Sequence, residues 1–451
     1  MARPKRLLVV SNGHGEDAVG RMVVQRTREL AGGLLQIEAF PLVGMGEAYR
    51  QAGIPVVGPL AELPSGGFIY LSLGNLIQDL RSGWLGLVLR QLRFAWRHRQ
   101  EFDGIIGVGD RVSLDLNYYV FRKPMIWVEI AYSARPLPPG THLGNPSMWR
   151  AMRQYCTDVF VRDPETAASF QTVGIRAEYV GNPMMDAVMV SAKEIGEAKE
   201  LLRAAGWDGR KALVALLPGS HQDALINLVD QLKVLQTLHA RTGGEVQGVV
   251  AWASGLNIQA QALGDPLSRA GWRLRPFTDS ALCENDVHGD GGDHAGRDAR
   301  GDPGKDAGAG PAYVATCGDG RCENQMKVAI IPGRFASILH LCSLVIGQAG
   351  TAVEQAVGLG KPVITFESRG VQVTRRFLAG QKELLGDAVA VVDPDPEAVA
   401  AEGVAILGDP ERRRAITRAS SQLMGSFGGT DAIAQRIVKR FLELPTAHAT
   451  Q

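Results

Sequence analysis

This 451-residue chain has few of the features that would mark a disulfide scaffold, a membrane span or a nucleic-acid binder. Its five cysteines are scattered, odd in number and without a C-x-x-C pair. That excludes a disulfide framework and fits a reducing cytoplasm. No run approaches the ~18 apolar residues that a spanning helix needs. The first apolar run, Leu7-Leu8-Val9-Val10, is too short for a signal peptide and is closed by Gly13-His14-Gly15. Net charge is only +1, so no whole-chain field attracts nucleic acid. There is no G-x-x-x-x-G-K-[ST] loop, and no G-x-G-x-x-G opens either strand–loop–helix unit described next.

What is present is an ordinary globular composition, 45% hydrophobic, in a chain too long for one core, so two domains are expected. The most informative stretch is Val345 to Phe366, VIGQAGTAVEQAVGLGKPVITF. Leu344-Val345-Ile346 suits a buried strand, Gly347 to Thr351 a tight loop of mostly small residues, Ala352 to Gly358 a helix, and Val363 to Phe366 a second strand. Small residues at a helix start let backbone N–H groups approach an anion, and the helix dipole favours negative charge there. Glu354, one turn inside, is placed to accept hydrogen bonds from a ribose diol. Without a ligand the same unit is an ordinary βαβ turn. A second loop repeats the design: apolar Ala212–Leu217, then Pro218-Gly219-Ser220-His221, then Leu225, Leu228, Val229, Leu232 and Leu235 at helical spacing. Two such helix starts suit a diphosphate, such as that of a nucleotide sugar.

Candidate strands in the first part are Arg6–Ser11, Leu35–Pro41, Phe68–Leu71, Gly104–Val108, Met125–Glu129, Val159–Val161 and Ala177–Val180. The second part has Ala212–Leu217, Gly248–Ala253, Val328–Ile331, Leu344–Ile346 and Val363–Phe366. Helix-like segments alternate with them, the pattern of doubly wound parallel sheets. The expected division is 1–185, 186–430, and a C-terminal helix and tail at 431–451. Residues 284–324 are rich in Gly and Asp and read as a disordered surface insertion. His288, His294, Cys317 and Cys322 within it lack metal-site spacing.

Val180-Gly181-Asn182-Pro183-Met184-Met185-Asp186, taken with the two loops, resembles lipid-A-disaccharide synthase and its related proteins. The family's V-G-[HN]-P-x-x-D, L-P-G-S-R and S-G-T-x-x-x-E segments stand here, in order, as VGNPMMD, LPGSH (Leu217 to His221) and AGTAVE (Ala349 to Glu354). SNGHGED, Ser11 to Asp17, sits where the family has G-E-x-S-G-D. The resemblance implies an α/β GT-B fold: two Rossmann-like doubly wound parallel-sheet domains facing across a cleft. The donor nucleotide would lie on the C-terminal domain and the acceptor on the N-terminal one. Two departures point to the synthase-related branch rather than to lipid A synthesis proper. His221 replaces the family arginine, and the G-I-D-x-P-D-F-N region is stretched into Gly107-Val108-Gly109-Asp110 and Asp115-Leu116-Asn117.

An inverting sugar transfer needs a base for the acceptor hydroxyl and stabilisation of the departing diphosphate. Asp110, just past Ile105–Val108, is the first candidate base, or else a helix N-cap. His14 is the second, or an acceptor contact; the related peptidoglycan GlcNAc transferase also carries a histidine in its first glycine-rich loop. Gly13, Glu16 and Asp17 are candidates for acceptor binding, the two acids alternatively capping the next helix. Asp115 and Asn117 are weaker candidates. On the donor side Gly219, Ser220, His221, Gly350, Thr351 and Glu354 are expected at the nucleotide. Phe335 either lines the uracil pocket or packs in the core, and Arg334 either supplies the cation that His221 lacks or is solvated. Neither loop carries a D-x-D pair, so no metal and no cofactor are expected. In Trp84–Arg99, Leu85, Leu89, Leu92 and Trp96 share a stripe beside Arg90, Arg93 and Arg97. That reads as an interfacial helix, or as a half-buried domain helix with solvated arginines.

The function expected is metal-independent, inverting transfer of a hexosamine-type sugar from a UDP-sugar, UDP-GlcNAc or a derivative, to a lipid-linked acceptor. It would take place in the cytoplasm, or at the inner face of the membrane as a peripheral protein. The alternatives are a UDP-sugar epimerase on the same fold and a non-catalytic nucleotide-sugar sensor.

Overall fold

The computed structural model describes residues 3–61, 83–138, 141–220, 223–253, 260–277, 312–317, 326–370 and 372–443. The first sheet has strands β1 (Lys5–Ser11), β2 (Leu35–Pro41), β3 (Gly104–Val108), β4 (Met125–Glu129), β5 (Cys156–Val161) and β6 (Ala177–Glu178). Their order is β2-β1-β3-β4-β5-β6, and all pairs are parallel. The second sheet has β7 (Ala212–Leu217), β8 (Val246–Trp252), β9 (Trp272–Phe277), β10 (Ala312–Cys317), β11 (Met326–Pro332), β12 (Leu344–Gly347), β13 (Val363–Phe366) and β14 (Val389–Val392). Its order is β14-β13-β12-β7-β8-β11-β10-β9. It is parallel from β14 to β11, and β10 and β9 extend it antiparallel.

The inner strands are apolar without alternation because both faces are covered. In β1, Leu7 and Val9 enter one core while Leu8 and Val10 enter another. In β7, Leu213, Ala215 and Leu217 share the core of Leu7 and Val9, whereas Val214 and Leu216 face the outer core of the second domain. One apolar core therefore runs through both domains.

Two segments hold the domains together. The crossing at Val180–Asp186 is tied to the C-terminal part of the chain: Asn182 Nδ2 donates to the Met424 carbonyl at 2.7 Å, and Asp186 accepts from the N–H groups of Gly428 and Thr430. The helix Gly429–Val438 then returns to the first domain. Arg26 pairs with Asp431, and Arg436 and Arg440 both pair with Asp158.

Three expectations change. Ala312–Cys317 lies inside the stretch read as a disordered insertion, yet it forms β10 between β9 and β11, with Tyr313 and Ala315 buried. Its six residues are apolar enough for a strand, but the Gly/Asp-rich composition around them obscures this. β9 and β14 were not expected either, because each carries exposed residues and sits at a sheet edge. Phe68–Leu71 and the remainder of 284–324 lie outside the described residues.

Candidate active site between the domains

The loops at the carboxyl ends of β1, β3, β4 and β5 face those after β7 and β12, where open α/β sheets place their ligands. Contact is direct: a Cβ added to Gly15 would stand 2.5 Å from Thr351 Oγ1 on the opposite domain.

Glu16 is the focus of the first domain. It lies in the first turn of the helix His14–Ala31 and folds back between two glycine backbones. A Cβ on Gly13 would meet its Oε2 at 2.3 Å, and one on Gly109 its Cγ at 2.3 Å. Gly109 also has φ +101°, a conformation natural to glycine. The slot exists because neither residue has a side chain. Burial pushes the Glu16 carboxyl up to about 7; its backbone N–H opposes this, and the charges of Asp110 and Glu354 add to it. A carboxyl near 7 can act as base or acid at neutral pH.

The other candidates separate. Asp110 caps the helix Arg111–Leu116: Oδ1 accepts from the Val112 N–H at 2.9 Å and Oδ2 from Asn12 Nδ2 at 2.9 Å. Its carboxyl is raised chiefly by burial. His14 is exposed, its ring against Gly44. Asp17 is buried beneath the helix, accepting from Ser11 Oγ at 2.6 Å, so it points away from any acceptor. Asp115 pairs with Arg111, and Asn117 braces Lys123 through two hydrogen bonds.

On the second domain, the loops after β7 and β12 abut. A Cβ on Gly219 would lie 3.2 Å from the Gln348 carbonyl, and Gln231 Nε2 donates to both the Leu217 carbonyl and Gln348 Oε1. Ser220 ends the first loop; His221 lies outside the described residues. Gly350 is the N-cap and Thr351 the first residue of the helix Thr351–Gly358. Glu354 does not stand free: its Oε2 pairs with Arg162 Nη2 at 2.7 Å across the domains. Counted from Thr351, the family's acidic position is residue 355, a glutamine here, and Gln355 Nε2 donates to the Met184 carbonyl at the crossing. Arg334 pairs with Glu197 at 3.1 Å, and Phe335 packs against the shared core. Phe335 thus packs with the core, and Arg334 is held in an ion pair rather than solvated.

Two groups that sequence reasoning passed over complete the site. Glu129 ends β4 and is fully buried; Oε1 accepts from the N–H groups of Ala131 and Tyr132, and Oε2 has no partner. Burial pushes its carboxyl up to about 8, against the pull of the Tyr132 N–H and Arg162. Arg162, just past β5, is 1% exposed and donates to the Ile130 carbonyl as well as to Glu354. Glu16 thus feels the charges of Asp110 and Glu354, and Arg162 links Glu354 to the fully buried Glu129, so the titratable groups of the site are drawn from both domains. The sequence signal was a charged residue closing an apolar strand, as in Ile126-Trp127-Val128-Glu129 and Val159-Phe160-Val161-Arg162.

Two Rossmann-like domains meeting across such a cleft define the GT-B fold. A family model described as lipid-A-disaccharide synthetase matches residues 145–253, from the helix Pro146–Tyr155 through β8. The resemblance to that family is thus matched over part of the chain. No curated protein gives a significant match. Among solved structures, a Listeria monocytogenes protein described as a UDP-N-acetylglucosamine 2-epimerase has a TM-score of 0.52 at 12% identity, covering 99% of this chain and 98% of its own. An S. aureus MnaA–UDP co-structure has a TM-score of 0.52 at 11% identity, covering 98% of each chain. At these identities the likeness bears on the fold.

Proposed function

We propose that the chain is a UDP-sugar-processing enzyme whose cleft performs acid–base chemistry on the bound sugar, with epimerisation favoured over transfer. The observation that carries this reading is Glu16, set in its glycine slot with a carboxyl near 7, beside Asp110 and Glu354 and with Glu129 near 8. Inverting a sugar carbon removes a proton on one face and returns one to the other, so it needs a base and an acid together. At neutral pH Glu16 is divided between its two forms, so one carboxyl can take up and return a proton, while the fully buried Glu129 bears on the site through Arg162. Glycosyl transfer asks for one base and an acceptor, and so leaves most of these carboxyls unexplained. The Listeria monocytogenes structure of the same fold, described as a UDP-N-acetylglucosamine 2-epimerase, is consistent with this choice. In this reading the helix start at Thr351 and the Arg162 guanidinium supply the positive field for the diphosphate.

Transfer to a lipid-linked acceptor is the second reading. It is supported by the family match over 145–253 and by the exposed apolar stripe of the helix Trp84–His98. Incubating the protein with UDP-GlcNAc in deuterated water, with and without a lipid extract, separates the two. Deuterium entering the sugar without acceptor, and lost in Glu16→Gln, is the expected result. UDP release only with the lipid extract would favour transfer instead. UDP binding with neither outcome would make the protein a sensor.

A further inference from the structure

The helix Trp84–His98 presents two different faces. Leu87, Gln91 and Ala95 are buried against the first domain, and Gln91 Nε2 is fixed by the carbonyls of Leu42 and Pro59. The opposite face is apolar and open: Leu85 is 55% exposed, Leu89 64%, Leu92 40% and Trp96 61%. These residues lie one or two turns apart along a single stripe. The turn Asn117–Phe121 packs beside the helix and adds exposed Tyr119. Cations flank the stripe. Arg90, Arg93 and Arg97 are exposed, and none of them pairs with a carboxylate among the described residues. Arg99 lies over the Trp96 ring, 4.7 Å from its centroid. From Trp84 to Gln100 there is no acidic residue.

We propose that this face docks on an anionic lipid bilayer. Three observations choose that occupant. Arginines without a carboxylate partner among the described residues, beside an exposed Leu/Trp ridge, complement negative headgroups over an apolar interior. A second copy of the same face would oppose arginine to arginine, which like-charge repulsion disfavours. A convex ridge one helix wide offers far less area than the roughly 800 Å² per partner of a stable protein interface, whereas a bilayer accepts a ridge by letting it sink to headgroup depth. The helix also lies well for this. Its middle lies near the carboxyl end of β2, where Gln91 meets Leu42, and it ends where His98 meets Glu101, which pairs with Arg6 at the start of β1. Its first turns therefore stand at the end of the sheet where the cleft opens. The inference does not rest on which reaction the cleft performs.

The test is flotation of the full chain with vesicles of phosphatidylcholine alone or mixed with phosphatidylglycerol. Wild type should float with the mixed vesicles and much less with pure phosphatidylcholine, and high salt should weaken the binding. Changing Arg90, Arg93 and Arg97 together to Gln should weaken partitioning on the order of a hundredfold, and Leu89→Gln with Trp96→Gln should also release the protein. Both variants should keep wild-type UDP affinity by calorimetry, which shows that they fold. Failure of wild type to bind anionic vesicles, or undiminished binding by both variants, would overturn the proposal. So would self-association in light scattering that Leu89→Gln abolishes.

Discussion

Breaking the Arg162–Glu354 pair tests whether the two domains stand together in solution as they do here. Arg162 is 1% exposed and Glu354 18%, with 2.7 Å between Nη2 and Oε2. At an effective dielectric of ~20, opposite charges ~4 Å apart attract by roughly 4 kcal/mol. That gain is offset by the desolvation of both groups, so the pair's net worth is small. Removing one partner is different, because the other charge is left buried. Glu354→Gln should therefore cost roughly 3–5 kcal/mol. The double variant Arg162→Met/Glu354→Leu should recover most of that loss, since it leaves no buried charge. A double-mutant cycle from urea unfolding, followed by tryptophan fluorescence, measures both. A cost below ~1 kcal/mol for Glu354→Gln, the range of exposed pairs, would mean that the pair is solvated and the domains part in solution. An additive double variant would mean that the two residues do not meet.

Two other predictions follow from burial. Glu16 and Asp17 are pushed up to about 7 and Glu129 to about 8, so folding holds protons on them. Their contribution is fully present below the ordinary carboxylate range and is lost as pH rises through these values. The urea midpoint should fall as pH rises from about 4.5 to about 8 and level off above that, and Glu129→Gln should flatten the upper part of the fall; a midpoint that rises or stays level across this window would contradict the assignment. Deleting residues 286–308 should leave the melting temperature near wild type, whereas extending the deletion to residue 320 removes β10 and should lower it clearly, since the buried Tyr313 and Ala315 are lost and Trp272 loses its strand partner; equal melting temperatures would show that β10 contributes nothing.

The strands that the sequence showed most clearly are those buried on both faces. Gly104–Val108, Met125–Glu129, Ala212–Leu217 and Val363–Phe366 form where their apolar runs stand, and the edge strand Leu35–Pro41 does so despite its exposed Gln36. β9, with Arg273 and Arg275 exposed, gives no such run, and as an edge strand it pairs with β10 on one side. The same contrast governs the site. Glycine loops after strands are local signals, so Gly13, Gly219, Gly350 and Thr351 could be read in advance. Glu354 meeting Arg162 joins positions 192 residues apart, and no spacing rule relates them. Glu129 was legible as a strand end, but nothing local shows that its Oε2 lacks a partner. For Asp17 the sequence leaves helix capping and acceptor binding open; one helical step from Glu16 turns it toward Ser11 and the core.

The charge pattern of the cleft also ties its chemistry to domain closure. Glu16 owes its raised carboxyl first to burial and in part to Glu354, a residue of the other domain. The close approach of Gly15 to Thr351 is part of what walls it in. If the domains part, water reaches Glu16 and Glu354 withdraws, and both changes return its carboxyl toward the ordinary range. An open cleft would then hold an ionised, weakly basic Glu16, and a closed one a group matched to neutral pH. The pairing of Arg162 with Glu354 favours the closed form, and it draws on the same carboxylate that raises Glu16. Closure and the raised carboxyl of Glu16 thus share one residue, so under the reading proposed above proton transfer would be confined to the closed state.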